Sequence, residues 1–183
     1  MNTAIILHGM PSKEEYYSEN GSSPSNSHWI AWLQNQLLQN NIHTQTPEMV
    51  SPYEPEYDKW EETISHSKID ENTILIGRSC GAGFFIKYLS KQQKQFKHLL
   101  LVAPWIDPSN ELKNDFFQGI FENKIDGTKV TIFYSTDDES TILKSVEELR
   151  AEQNKASDEI TKGNAGERTV LIESMKVVKE NLK

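Results

Sequence analysis

Short apolar runs alternate with segments of helical period along most of the chain. The runs at 4–8, 42–47, 73–78, 98–103 and 130–135 are predicted strands. Four of them contain "AIIL", "ILI", "LLLV" or "VTIFY", the near-continuous apolar signature of parallel strands covered on both faces. Between the strands the period changes to about 3.6. Trp29, Leu33 and Leu37 share one face of a helix for which Ser27 is the candidate N-cap. Trp60 and Ile64 lie one turn apart within a helix predicted over 56–69, and Phe85, Tyr88 and Leu89 belong to a helix opening at Gly81. A short aromatic helix is predicted near 111–121, and a further one after Ser140 with Ile142, Val146 and Leu149. Leu171, Met175, Val178 and Leu182 mark the last. Before it, "KASDEITKGNAGE" has little apolar material beyond Ile160, so a sixth strand there should be short and at an edge.

Regular strand–helix alternation predicts an α/β fold: a three-layer, doubly wound, mostly parallel sheet of five or six strands. At 183 residues the chain makes one domain, 1–183, with no internal repeat. The polar loop "SENGSSPSNS" and the proline-rich "TPEMVSPYEPEY" follow the first two strands. Both should lie at the strand C-terminal ends, where α/β folds place their chemistry.

Charge and cysteine content narrow the function. A net charge of -8 with no basic cluster disfavours nucleic acid as a partner. One cysteine, Cys80, rules out an internal disulfide or a CxxC site, and no ligand spacing suggests a metal. "MNTAIILHGM" has no basic segment and too short an apolar run for a signal or membrane span, so a cytoplasmic protein without membrane contact is expected.

The chemistry centres on "ILIGRSCGAGFF". Strand, Gly77-Arg78-Ser79-Cys80-Gly81 and aromatic helix form the arrangement that mounts a nucleophilic serine on a tight turn, with small residues two positions to either side. Ser79 is the candidate nucleophile. The Cys80 N–H, at the helix start, would hold an oxyanion, with the Met10 N–H of "ILHGMP" as its partner, since Pro11 has none. Asp138, or its neighbour Asp137, ends the fifth strand as the candidate acid, with Asp107 as second choice. A bland reading takes the two aspartates as helix N-terminal charges. Gly77, Gly81 and Gly83 also fit a dinucleotide turn, but that turn normally follows the first strand and no Tyr-x-x-x-Lys pair follows here. His8, Gly9, His28 and Trp105 are candidate substrate-binding residues, with Trp105 alternatively packed under a loop.

The base is the missing part. Chain order for this arrangement is serine, acid, histidine, yet the five histidines stand at 8, 28, 43, 66 and 98, none beyond Asp138. Topology puts His43, His66 and His98 at the bottom of the sheet and only His8 and His28 at the top. No conventional base is expected.

"ILHGMP", "HWIAWLQNQL", "TPEMVSPYEPEYDKWE", "LIGRSCGAGFFIKYL", "LLLVAPWID" and "IFYSTDDEST" together resemble the small serine hydrolases related to retinoblastoma-binding protein nine. The resemblance runs in order from about residue 4 to 150. It implies a minimal α/β-hydrolase fold without a large lid domain, Ser79 as nucleophile, Asp138 as acid, and hydrolysis of small carboxylic esters without a cofactor. Such proteins commonly carry His where Arg78 stands, and a Gly-His-Phe where this chain has "KGNAGERT". The expectation is therefore a weak or unconventional esterase acting on a small-molecule ester. The alternative is an inactive relative whose cleft binds another ligand or a protein partner.

Overall fold

Each apolar run is a strand in the computed structural model, which describes residues 1–152 and 157–161. The elements in chain order are β1 (Thr3–Leu7), α1 (Lys13–Tyr16), α2 (Ile30–Gln39), β2 (His43–Gln45), α3 (Tyr57–Ser65), β3 (Thr73–Arg78), α4 (Cys80–Gln92), β4 (His98–Val102), β5 (Val130–Ser135), α5 (Ser140–Glu152) and β6 (Ser157–Thr161). All strand pairings are parallel, in the order β2-β1-β3-β4-β5-β6. As the scarcity of apolar residues predicts, β6 lies at an edge, though at five residues it is as long as β1 and β4. The helix predicted over Leu171, Met175, Val178 and Leu182 lies outside the described residues. No helix among the described residues is long and apolar enough to cross a membrane.

Burial on both faces follows from the two-residue period of the strands. Ala4, Ile6, Ile74, Ile76, Leu100 and Phe133 face Trp29, Ile30, Leu33 and Leu37 of the α2 region. Ile5, Leu7, Leu75, Leu99, Leu101 and Ile132 face the opposite way, toward α3, α4 and α5. There Trp60, Phe84 and Phe116 pack edge-on or tilted with centroids 5.1–6.2 Å apart, all three fully buried. Each such side chain contributes about 1.5–3 kcal/mol on leaving water.

Three local expectations fail, for reasons visible in the hydrogen bonds. Ser27 is not the α2 cap: its hydroxyl donates to the Pro24 carbonyl at 2.9 Å, and Trp29 occupies the cap position without a side-chain bond. The helix predicted over 56–69 stops at Ser65, where the Ser65 hydroxyl bonds the Glu62 carbonyl. The helix predicted near 111–121 does not form. Asp107 takes the Glu111 and Leu112 N–H groups, Asn114 takes that of Phe116, and Lys87 binds the Asp115 and Phe116 carbonyls. Side chains have claimed the groups a helix would pair with itself. The segment folds as successive turns instead, anchored by buried Phe116.

The chain leaves β1 for β2 on one side and returns to β3 on the other. This reversal opens a crevice beyond the C-terminal ends of β1 and β3, the position where open α/β sheets bind ligands.

Candidate active site

Ser79 stands at that crevice. It links β3 to α4 with φ 50° and ψ -120°, a backbone state costly for a residue with a side chain. Its neighbours hold it there. The Ser79 N–H donates to the Val102 carbonyl at 2.9 Å, and its own carbonyl accepts from Ala82, Gly83 and Trp105 at 3.0–3.2 Å. The flanking glycines are a packing requirement. A Cβ on Gly77 would come within 2.5 Å of the Ala82 Cα, and one on Gly81 within 2.3 Å of the His8 carbonyl oxygen. Among the described residues Ser79 Oγ has no hydrogen-bond partner, and neither do the Cys80 and Met10 N–H groups. The Cys80 side chain packs fully buried under the turn, and burial, with the nearby Asp107 charge adding to it, pushes its thiol pKa far up.

The loop after β1 crosses directly beside this turn: a Cβ placed on Gly9 would lie 3.1 Å from the Ser79 Cβ and 3.6 Å from Arg78 Nη1. His8, Gly9, Met10, His28 and Arg78 line one cleft of about 180 Å³ with Glu15, Tyr16, Ser22 and Ser27. Four of the residues singled out in the sequence thus meet in one place. Arg78 was not among them, although a lone arginine closing an apolar strand inside the serine motif was the signal.

His8 is committed to structure. Its Nε2 accepts the Met49 N–H at 3.0 Å, which makes Nδ1 the protonated nitrogen, donating to the Gly9 carbonyl at 2.7 Å. Burial holds its pKa below the ordinary histidine range, against the raising pull of the Gly9 carbonyl and of Glu48. Glu48 Oε1 is buried 3.6 Å from His8 Nε2 with no hydrogen-bond partner, while Oε2 accepts the Ser25 N–H at 3.0 Å. His28 lies exposed at the cleft, with φ 53°. His43 and His98 open β2 and β4, and His66 follows α3, all at the far end of the sheet from Ser79.

Beyond β5, Asp138 is half-buried and its Oδ2 accepts the Ser135 N–H at 2.7 Å; the Asp137 carboxylate binds the Ser135 hydroxyl. Asp107 instead spends one oxygen each on the Glu111 and Leu112 N–H groups. The Trp105 ring is buried against Phe117, centroids 5.6 Å apart, and its backbone N–H donates to the Ser79 carbonyl. β6 ends at Thr161, at the same C-terminal end of the parallel strands as Ser79 and Asp138. In the sequence that follows, residues 162–183, there is no histidine. Among the described residues no group of three potential ligands could hold a metal ion.

A family model described as serine hydrolase matches residues 19–160. The YdeN protein of Bacillus subtilis (strain 168), named as a hydrolase by inference, is 27% identical over 118 residues. That match covers 61% of this chain and 62% of the relative's length. The crystal structure of the B. subtilis ydeN gene product superposes with a TM-score of 0.75 at 20% identity, covering 100% of this chain and 99% of that one. Est1E from Butyrivibrio proteoclasticus, solved with ferulic acid bound, gives a TM-score of 0.64 at 13% identity, covering 100% and 90%. At these identities the structural likeness shows the fold, a minimal α/β-hydrolase fold.

Proposed function

We propose that this chain, which belongs to the serine hydrolase family, cleaves small carboxylic esters through Ser79. The observation that carries the reading is the Ser79 backbone, held at φ 50° and ψ -120° between two glycines whose Cβ positions are already occupied. Positive φ recurs elsewhere, at Ser51 and His28 among others; at Ser79 it falls on the turn from strand to helix at the mouth of a crevice, which is the mark of a mounted nucleophile.

In the reaction, Ser79 Oγ attacks the ester carbonyl carbon and the Cys80 and Met10 N–H groups take the oxyanion. The bond to the alcohol oxygen breaks, and the alcohol departs with the serine proton. Water then attacks the acyl-serine, releasing the acid and restoring Ser79. Asp138 is the surviving acid. The base is unconventional. His8 has both ring nitrogens engaged, and His28 is the histidine the cleft offers. Loss of the base in a serine triad costs about a million-fold in turnover and leaves roughly a thousand- to ten-thousand-fold over water. Turnover is therefore slow. The cleft beside Ser79, lined by its neighbours Gly9 and Arg78 and not by Ser79 itself, is about 180 Å³, smaller than the roughly 300–1,000 Å³ typical of drug-sized ligands, which favours a short acyl or alcohol group. Closer kinship with the proteins around retinoblastoma-binding protein nine, and a cytoplasmic location, belong to the same proposal.

One observation favours a second reading. With no histidine after Asp138, the cleft can serve binding alone, for a ligand or a protein partner.

Fluorophosphonate labelling separates the two. The wild type should label and Ser79→Ala should not, and loss in His28→Ala as well would identify the base. Wild-type labelling no stronger than that of Ser79→Ala would refute the hydrolase and leave the binding reading.

A further inference from the structure

We infer that Arg78 makes this cleft selective for esters that carry a carboxylate near the scissile bond. The inference rests on the Ser79 hydrolase reading, since it names that reaction's substrate class.

Arg78 is the last residue of β3 and the immediate neighbour of Ser79. Its guanidinium lies over the β1 loop, with Nη1 3.6 Å from the Cβ position of Gly9, and it lines the cleft together with Gly9 and Met10. Its charge reaches the cleft wall, where it is one of the influences that lower the His8 pKa. A guanidinium presents five N–H donors, so it can hold a protein group and a ligand carboxylate at once. Behind it, α4 begins at Cys80 and runs for 13 residues, directing the positive end of its dipole, worth about half a charge, to the same spot.

Two opposing charges are close. Glu15 lines the cleft but is exposed, so water and salt screen it. Glu48 lies beside His8 and is partly committed to the Ser25 N–H. Arg78 is half-buried, where a charge acts through a lower dielectric and with more force. The remaining lining sets Tyr16, Ser22, Ser27 and His28, polar groups able to meet a carboxylate, beside the apolar Pro11 and Pro24.

The test compares 3-carboxyphenyl acetate with its neutral isostere 3-acetylphenyl acetate, following phenol release for wild type, Arg78→Gln, Arg78→Lys and Ser79→Ala. Wild type should prefer the anionic ester by about 10- to 100-fold in kcat/KM, the range of a charge-assisted hydrogen bond. The preference should collapse toward unity in Arg78→Gln and partly persist in Arg78→Lys. Ser79-dependent cleavage of both esters at similar rates, or a preference unchanged in Arg78→Gln, overturns the role of Arg78 and leaves the hydrolase reading intact. Cleavage of neither ester above Ser79→Ala removes the hydrolase reading and this substrate class with it. If Arg78→Gln does not fold, wild-type inhibition by 3-hydroxybenzoate against 3-hydroxyacetophenone decides: equal inhibition overturns the inference.

Discussion

At Ser79 a residue with a side chain occupies a left-handed backbone, and the neighbours that permit it have none. A Cβ on either would strike backbone atoms that cannot swing aside, and Gly81 is the sharper case at 2.3 Å from the His8 carbonyl oxygen, against 2.5 Å for Gly77. Gly81→Ala should therefore lower stability by about 1–3 kcal/mol, the usual cost of overpacking, and weaken fluorophosphonate labelling as the turn shifts. Chemical denaturation against wild type measures the first effect; an unchanged midpoint would contradict the packing argument. His8 shows the same dependence on surroundings. Its place after β1 marks it in the sequence as a candidate binding residue. The two ring bonds, to Gly9 and Met49, make it the brace that ties the first loop to the second.

The element with the least regular structure is the stretch between β4 and β5, and a buried lysine organises it. Lys87 lies in the middle of α4, with Nζ 2.9 Å from the Asp115 carbonyl, 2.8 Å from the Phe116 carbonyl and 4.1 Å from the Tyr57 ring centroid. Burial lowers its pKa. Phe116, held by this contact, completes the aromatic cluster with Trp60 and Phe84, and the adjacent Phe117 packs on Trp105, whose backbone N–H donates to the Ser79 carbonyl. Lys87→Met keeps the length but leaves two carbonyls without their donor. It should cost about 1–3 kcal/mol, the price of orphaned buried acceptors. Faster amide exchange confined to 105–121 would locate the effect; uniform exchange changes would count against it. The aromatic spacing at 111–121 was real, but it reports burial rather than helix.

Across the whole molecule, buried histidines set how stability responds to acid. Burial pushes the His98 pKa down to about 4, with Nε2 2.8 Å from the Thr131 hydroxyl, and His8 is shifted in the same direction. As pH falls below the unfolded value of 6.5, the unfolded chain binds these protons while the folded protein does not. The stability these groups support is thus complete above about pH 6.5 and declines until about pH 4, where His98 protonates in the folded state as well. Urea midpoints should fall across that window in wild type and fall less in His98→Gln. Identical slopes would exclude His98 as a source.

What local sequence pattern can encode was legible in this chain. Apolar runs of strand length, their burial on both faces, the helices of α2 and α4, the edge position of β6 and the glycine-flanked serine all follow from neighbours a few residues apart. They report hydrophobic period and backbone sterics, which do not need the rest of the chain. The tertiary structure decided what depends on distant partners. It brought Gly9 beside Ser79, since the reversal of strand order places the loops after β1 and β3 together. It gave the nitrogens of His8 to Gly9 and Met49, the N–H groups of 111–112 to Asp107, and the Ser27 hydroxyl to Pro24. It also made Arg78, an ordinary letter inside a motif, a wall of the cleft. A hydrogen-bonding or charged side chain has several acceptable partners in sequence, and only the folded chain limits which of them lie within about 3 Å.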